Sequence, residues 1–173
     1  MRSKRKLEKL LIDCITEHQD SVYRLAYSYV GNKEDALDIV QDAIHKAFIS
    51  MDKLQNKGSV KSWFYRIVVT TSLDYLRKKK KVHVMEDDIL ETYIPGVQDT
   101  YRNIDLAESL DELPPKYRTV VILRYFEDMK IEDIAEVLQE NVNTIKTRLY
   151  QALKKLRISL EEEEQMKEVS RHG

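Results

Sequence analysis

The chain has 173 residues, of which 34% are charged and 42% hydrophobic, proportions of a soluble globular protein with one ordinary domain or two small ones. Its single cysteine, Cys14, excludes an intramolecular disulfide and fits a reducing cytoplasm. The sequence contains no apolar run near the roughly 20 residues of a membrane span, and we expect neither a secretion signal nor a transmembrane helix.

The net charge of -1 conceals an uneven distribution. Residues 1–83 carry 17 basic and 10 acidic side chains, a balance of +7. Residues 84–104 and 105–173 each carry a balance of -4. An asymmetry of this size indicates a localised surface that binds a polyanion.

Three helices are predicted before residue 83, because apolar residues recur there at helical spacing. The first covers residues 7–30 and ends at Gly31-Asn32, which suit a helix C-terminus. The second covers residues 35–51, and the third follows Gly58-Ser59 with the serine as its N-cap. Together they predict one small helical bundle.

The helical period is lost at about residue 82, acidic residues increase, and Pro95-Gly96 signals a turn. We therefore expect a first domain over residues 1–83, a flexible linker over 84–104 and a second domain over 105–173. In the second domain, helices are predicted over 105–112, from Pro114-Pro115 to residue 127, over 131–138, and from 142 onward. The predicted fold class is all-α, with two small helical domains.

The last two predicted helices are separated by only three residues, the spacing of a helix-turn-helix. Asn141 is expected to cap the second helix, whose apolar residues from Ile145 to Leu156 recur at core-facing positions. Its outward side then carries amide, hydroxyl and cationic groups suited to base edges and phosphates. The candidate DNA-contacting residues are Asn143, Thr144, Lys146, Thr147, Arg148 and Gln151.

With both halves in view, the sequence resembles the sigma-70 superfamily and, within it, the extracytoplasmic-function (ECF) group. Residues 35–48, DALDIVQDAIHKAF, look like the family's helix that binds core RNA polymerase. Residues 62–81, SWFYRIVVTTSLDYLRKKKK, resemble the helix that meets the promoter's minus-10 element, and residues 110–157 are similar to the domain that reads the minus-35 element. Many repressors contain a helix-turn-helix, whereas three motifs in this order point to the superfamily.

The resemblance implies a transcription-initiation sigma factor that binds core RNA polymerase and directs it to specific promoters, in a stress or envelope response. It also implies control by an anti-sigma factor, often a membrane-embedded one. No enzymatic activity, catalytic residue, small-molecule substrate, cofactor or metal is expected, because neither a phosphate-binding loop nor a metal-ligand cluster accompanies Cys14 and His18. Cys14 is interpreted as a buried core thiol.

In the predicted polymerase-binding helix, acidic residues recur at helical spacing beside apolar ones. The same surface is also compatible with the outer face of a bundle helix, and the ordered motifs favour the partner-binding interpretation. A partner helix bearing arginine would be complementary in charge. The predicted core-polymerase-binding residues are Asp35, Asp38, Ile39, Gln41, Asp42 and Phe48.

Aromatic residues alternate with cations in the third helix and the loop before it, a combination that holds unstacked single strands. Trp63 and Phe64 lie on the apolar stripe of this helix and are assigned to the core in preference to DNA. Tyr65 is placed off that stripe. The family resemblance implies that the loop 55–61 captures a flipped base.

The basic run 77–81 ends the same helix and is predicted to contact phosphates, although a solvated helix end favoured by the helix dipole would have the same composition. The predicted minus-10 DNA-binding residues are Asn56, Lys57, Lys61, Tyr65, Arg66, Arg77, Lys78 and Lys79.

The chain departs from the family pattern in the helix-turn-helix. Gln139 and Asn143 replace two turn glycines, and Gln139 is expected to adopt a left-handed conformation at a cost on the order of 1 kcal/mol. Gln151 stands where many relatives have arginine. No relative's promoter consensus is therefore transferred to this chain.

Two other classes of function are compatible with parts of the pattern. A helix-turn-helix repressor or activator would bind duplex DNA without polymerase and use the first domain for dimerisation or effector binding. A protein-binding adaptor would show no salt-dependent DNA affinity. Binding to core polymerase separates both from a sigma factor.

Overall fold

The computed structural model describes residues 2–54, 60–85 and 109–172. Within these ranges every regular element is helical and no β-strand occurs, which confirms the predicted fold class. The chain forms two compact units, residues 1–97 with 136–139 and residues 98–135 with 140–173, and the division after residue 97 falls outside the described residues. The predicted linker over 84–104 lies almost wholly outside them too, so the domain bounds remain predictions. No helix in the described ranges is long and apolar enough to cross a bilayer.

The described residues up to 85 form four α-helices. They are α1 (Arg2–Glu17), α2 (Gln19–Val30), α3 (Lys33–Ser50), which a 3-10 turn follows, and α4 (Val60–Met85). The α4 helix continues past residue 82, where the sequence pattern predicted its end.

The prediction of one helix over residues 7–30 is wrong at His18, which separates α1 from α2 with φ -106° and ψ 17°. Backbone hydrogen bonds cross the break, from His18 N to Cys14 O at 3.0 Å and from Val22 N to His18 O at 2.9 Å. The break therefore changes the dihedrals of one residue while hydrogen bonding continues. Neither glycine nor proline marks it in the sequence.

The predicted helix end at Gly31-Asn32 is confirmed. Gly31 ends α2 in the left-handed conformation at φ 73°, which glycine adopts without steric cost, and its N–H donates to Tyr27 O at 2.8 Å. The next residue, Asn32, caps α3 by accepting from Asp35 N at 2.9 Å. Two residues thus end one helix and begin the next.

The α4 helix contacts α1, α2 and α3, so a wide arc of its surface is buried. Phe64 is buried, as expected, but Tyr65 is also fully buried, and its placement off the apolar stripe is wrong. The ring of Tyr65 packs edge-on against His18, with centroids 5.9 Å apart. Trp63 lies half-buried at the margin of this arc. Packing on three sides explains the error, because a single apolar stripe describes packing against one neighbour.

From residue 109 onward the chain is helical over residues 109–112 and then forms three longer elements. They are α5 (Pro115–Val121), continued by a π-helical segment (Ile122–Phe126), α6 (Ile131–Leu138) and α7 (Val142–His172). Pro115 occupies the first turn of α5, where a missing N–H costs nothing, as predicted. The hydrogen bond from Glu127 N to Ile122 O, at 3.0 Å, has the i to i+5 spacing of a π-helix.

The turn between α6 and α7 has the predicted local geometry. Gln139 is left-handed at φ 56°, and its Nε2 donates to Glu136 O at 3.1 Å, which satisfies a carbonyl at the end of α6. Asn141 Oδ1 accepts from Thr144 N at 2.7 Å and so caps α7. Side-chain hydrogen bonds of Gln139 and Asn141 therefore close the turn of the helix-turn-helix.

An ion pair joins the start of α3 to the C-terminal half of α4. Lys79 Nζ lies 3.1 Å from Asp35 Oδ2, which also accepts from Asn32 Nδ2 at 2.7 Å. Burial acts to raise the pKa of Asp35, but hydrogen bonds with Tyr75, Asn32 and Lys79 outweigh it and lower the pKa below its usual value. The charged carboxylate therefore stabilises the folded state above the unfolded pKa of about 4, and this stabilisation is lost as the pH falls through the lowered value.

We expect Asp35→Asn to reduce the free energy of unfolding of the first unit by about 1 kcal/mol at pH 7, because the charge that Lys79 and Asn32 stabilise is removed. The difference from the unsubstituted chain should shrink as the pH falls below about 4. Denaturant unfolding followed by tryptophan fluorescence measures this unit, since the single tryptophan, Trp63, lies on α4.

Asp38→Asn, which removes an exposed carboxylate from the same helix, is the matched control and should leave stability unchanged. An Asp35→Asn deficit that stayed constant down to pH 3 would contradict the assigned role of the Asp35 charge.

Candidate functional site

The predicted minus-35 residues share one outward face at the start of α7. The opposite face is buried against the rest of the second unit through Ile145, Leu149, Ala152 and Leu156, as predicted from their spacing. The six residues on the outward face are exposed or half-buried. They are Asn143, Thr144, Lys146, Thr147, Arg148 and Gln151.

This face borders an open depression of about 380 Å³, to which α5 contributes Tyr117. The phenol of Tyr117 donates a hydrogen bond to Gln151 Oε1 at 3.0 Å. Lys116 Nζ and Lys155 Nζ lie 4.9 Å and 5.7 Å from the centre of the Tyr117 ring, within the range of cation–π attraction. Sequence analysis missed these three residues, because no pattern in the sequence relates Tyr117 to a helix that begins 25 residues later.

Several polar groups on this face already have intramolecular partners. Arg148 Nη2 donates to Glu140 Oε1 at 3.0 Å, and Thr147 Oγ1 donates to Asn143 O at 3.0 Å. A guanidinium has five N–H groups, so Arg148 retains donors for a ligand while Glu140 holds its orientation. The Glu140 contact thus restricts the arginine side chain before any ligand binds.

The predicted minus-10 residues divide into three groups in the structure. Asn56 and Lys57 lie outside the described residues. Tyr65 is buried, so its ring is unavailable for stacking on a base, and Lys61 Nζ lies 5.8 Å from the ring centre. Arg66 is exposed on α4.

The third group is the basic run at the C-terminal half of α4. Arg77 and Lys78 are exposed, and Arg77 Nη1 lies 3.4 Å from Asp74 Oδ1. Lys79 is half-buried and pairs with the half-buried Asp35, which brings together one predicted DNA contact and one predicted polymerase contact. Their charges stabilise the fold in the free protein.

One exposed face of α4 combines an aromatic ring with cations. Arg66 follows Trp63 by three residues, and Arg77 follows Arg66 by eleven. These spacings place the three side chains on the same side of the helix, at different heights along its axis. Thr70 and Leu73, on the same side, are exposed as well. The structure therefore presents Trp63, rather than Tyr65, beside the cations of this helix.

The predicted polymerase-binding residues on α3 also separate by burial. Asp38, Gln41 and Asp42 are exposed and Phe48 is half-buried. Ile39 is 1% exposed, so its assignment to the surface is wrong. It lies on the same side of α3 as Ala36, Ala43 and Ala47, the side that packs into the core.

Two apolar residues that sequence analysis missed are exposed on α3. Leu37 and Ile49 are 42% and 68% exposed, so both lie on the outer part of the helix surface, about 120° apart around its axis. Asp42, nearby, pairs with Lys46 at 3.1 Å. An acidic surface with two apolar residues is a chemistry suited to binding a basic, amphipathic partner.

The remaining reactive group is Cys14. It is buried, as expected, and burial raises the pKa of its thiol to about 11, with Glu17 adding to the effect, so the thiol stays protonated near neutral pH. Among the described residues, no group of three histidine, cysteine or acidic side chains is placed to hold a metal ion.

Comparison with protein families finds two matches in chain order. Sigma-70 region 2 matches residues 14–82, which contain the surfaces of α3 and α4. Sigma-70, region 4, matches residues 104–156, which contain the helix-turn-helix.

Two curated relatives resemble the chain over most of its length. RNA polymerase sigma factor SigV of Bacillus subtilis (strain 168) is 52% identical over 164 residues, covering 95% of this chain and 99% of the relative. ECF RNA polymerase sigma factor SigW of the same strain is 29% identical over 163 residues, covering 86% of this chain and 87% of the relative.

Two solved structures share the fold. The sigma factor RpoE in complex with the anti-sigma factor NepR from Bartonella quintana has a TM-score of 0.72 at 23% identity, covering 92% of this chain and 97% of that one. CnrH in complex with the cytosolic domain of CnrY has a TM-score of 0.64 at 20% identity, covering 87% of each chain. With both family regions matched in order and 52% of the aligned residues identical to those of SigV, the chain belongs to the sigma-70 family of RNA polymerase sigma factors, in its ECF group.

Proposed function

We propose that the chain initiates transcription by binding core RNA polymerase through α3 and directing it to promoters whose minus-10 and minus-35 elements are read by α4 and α7. The observation that carries this function is the outward face of α7, which presents six polar or cationic residues on the second helix of a helix-turn-helix. The helix-turn-helix is combined here with a sigma-70 region 2 domain. This combination favours a sigma factor over a repressor, whose first domain would not need a polymerase-binding helix.

The α7 helix supplies the groups for reading duplex DNA. Recognition helices enter the major groove, where amides read base edges and cations contact phosphates. Asn143 and Gln151 carry the amides, and Lys146 and Arg148 carry the charges. The hydrogen bond between Arg148 and Glu140 supports this role, because a restrained side chain loses less entropy on binding.

The α4 helix supplies a surface for the melted minus-10 strand. Trp63 offers a ring for stacking, worth roughly 1 to 3 kcal/mol per base, and Arg66 and Arg77 lie on the same side to neutralise phosphates. Tyr65 is buried on another side of α4 and takes no part in this surface. Asn56 and Lys57 remain predicted contacts in the loop that the family resemblance assigns to a flipped base.

The α3 helix supplies the polymerase contact. Asp38, Gln41 and Asp42 are exposed together, and Leu37 and Ile49 add exposed apolar area in place of the buried Ile39. Carboxylates at the rim steer a basic partner, while apolar side chains contribute binding energy once water is excluded.

Control by an anti-sigma factor forms part of the proposal, because both RpoE and CnrH were solved with a partner protein bound, in the case of RpoE an anti-sigma factor. We place the chain in the cytoplasm, where polymerase and promoter DNA are found. An anti-sigma factor embedded in the membrane would link its release to a stress at the cell envelope.

In vitro transcription from a pooled promoter library, using purified core polymerase with and without the chain, tests the proposed function. Start sites that require the chain and share two spaced upstream elements are the expected result. If the chain bound duplex DNA alone and produced no transcripts, a repressor or activator function would replace this one. If it bound neither DNA nor polymerase, the adaptor function would be favoured.

Asp38→Arg should weaken binding to core polymerase by about tenfold or more, because a cation would replace a carboxylate opposite a basic partner surface. Fluorescence titration of the labelled chain with core polymerase measures the change. The control is Asp13→Arg, the same charge reversal at an exposed position on α1. Equal affinities for both variants would remove Asp38 from the polymerase contact.

Arg148→Ala should reduce transcription that depends on the minus-35 element, at a cost of about 1 to 3 kcal/mol, and should leave core binding intact. The control is Arg171→Ala, which removes a cation from the same helix about 35 Å away along its axis. Loss of core binding in Arg148→Ala, or equal transcription from the two variants, would count against the assignment of this face to DNA.

A further inference from the structure

The side-chain amide of Gln151 has a defined orientation. A glutamine amide carries one carbonyl oxygen, which accepts, and one NH2 group, which donates two hydrogens. The phenol of Tyr117 donates to the carbonyl oxygen Oε1 at 3.0 Å. The NH2 group is bonded to the same planar carbon on the opposite side from Oε1, so it points away from the tyrosine. The Gln151 side chain is exposed, so this NH2 group faces solvent.

Tyr117 is well placed to maintain this orientation. It is half-buried on α5, which packs against α7, and so belongs to a different element from the side chain that it restrains. Lys116 and Lys155 approach its ring at 4.9 Å and 5.7 Å. These cation–π contacts help to fix the position of the ring whose hydroxyl donates to Gln151 Oε1.

The orientation changes which base Gln151 is able to read. An unrestrained glutamine reads adenine with two hydrogen bonds, one donated to N7 and one accepted from the N6 amino group. In this chain the Tyr117 hydroxyl takes one of the two lone pairs of Oε1 and holds that oxygen on the tyrosine side, so a two-bond contact with adenine has to share or break this bond. Guanine presents two acceptors, N7 and O6, at the same edge and requires donors alone.

We propose that Tyr117 is a positioning residue that makes Gln151 a hydrogen-bond donor, so that α7 selects guanine over adenine at one base pair of the minus-35 element. The inference rests on the proposed function of α7 as the helix that reads this element.

The test uses the full chain with core polymerase and a promoter library randomised through the minus-35 element. The unsubstituted chain should show one position at which guanine is preferred over adenine by about tenfold, and Gln151→Ala should lose that preference. Tyr117→Phe keeps the ring and its packing but frees Oε1. At that position the Tyr117→Phe variant should gain activity on promoters that carry adenine, so that the ratio of guanine to adenine activity falls toward one.

A gain for adenine is a readout that a merely structural role of Tyr117 would not produce. The control is Tyr125→Phe, which removes the hydroxyl of an exposed tyrosine in the same unit and should leave the base profile unchanged. If Tyr117→Phe had the same profile as the unsubstituted chain, or lost activity equally on all promoters, the positioning role would be overturned while the sigma function stood. If no promoter gave transcripts that depended on the unsubstituted chain, the proposed function would fail first.

Discussion

Burial of one side of α7 is the constraint on which the DNA-binding face depends. Ile145, Leu149, Ala152 and Leu156 pack into the second unit, and a straight helix with one side buried must present its opposite side outward. The amide and cationic groups face outward for that reason. The Asn141 cap and the left-handed Gln139 set where this helix begins.

In the first unit the same constraint acts on helices that have more than one packed neighbour. The α4 helix contacts three others, so its buried arc includes Tyr65 and leaves Trp63 half-exposed beside Arg66. Three small alanines on α3 let that side approach the core closely, and Ile39 packs there with them. The surfaces available to DNA and polymerase are those that remain after this packing, which moves the aromatic contact to Trp63 and the apolar contact to Leu37 and Ile49.

Intramolecular partners then adjust what the remaining groups offer to a ligand. The hydrogen bond between Arg148 and Glu140 restrains the arginine side chain. The hydrogen bond between Tyr117 and Gln151 engages the amide oxygen, so the NH2 group of Gln151 is the part that is available to DNA. The pair of Lys79 with Asp35 uses one cation of the basic run for the stability of the fold. Residue type therefore identifies the groups able to contact DNA, whereas their partners decide which of these groups are available and in what orientation.

The sequence by itself determined the helical class, the helix-turn-helix and the family, because caps, prolines and apolar spacing act within a few residues along the chain. Gly31, Pro115 and Asn141 lie where these local rules placed them. The tertiary structure alone decided that Ile39 and Tyr65 are buried and that Tyr117 orients Gln151. Those outcomes depend on contacts between residues that are distant in sequence. Helical periodicity shows that one side of a helix is apolar, but it does not show how many neighbouring helices pack against that helix.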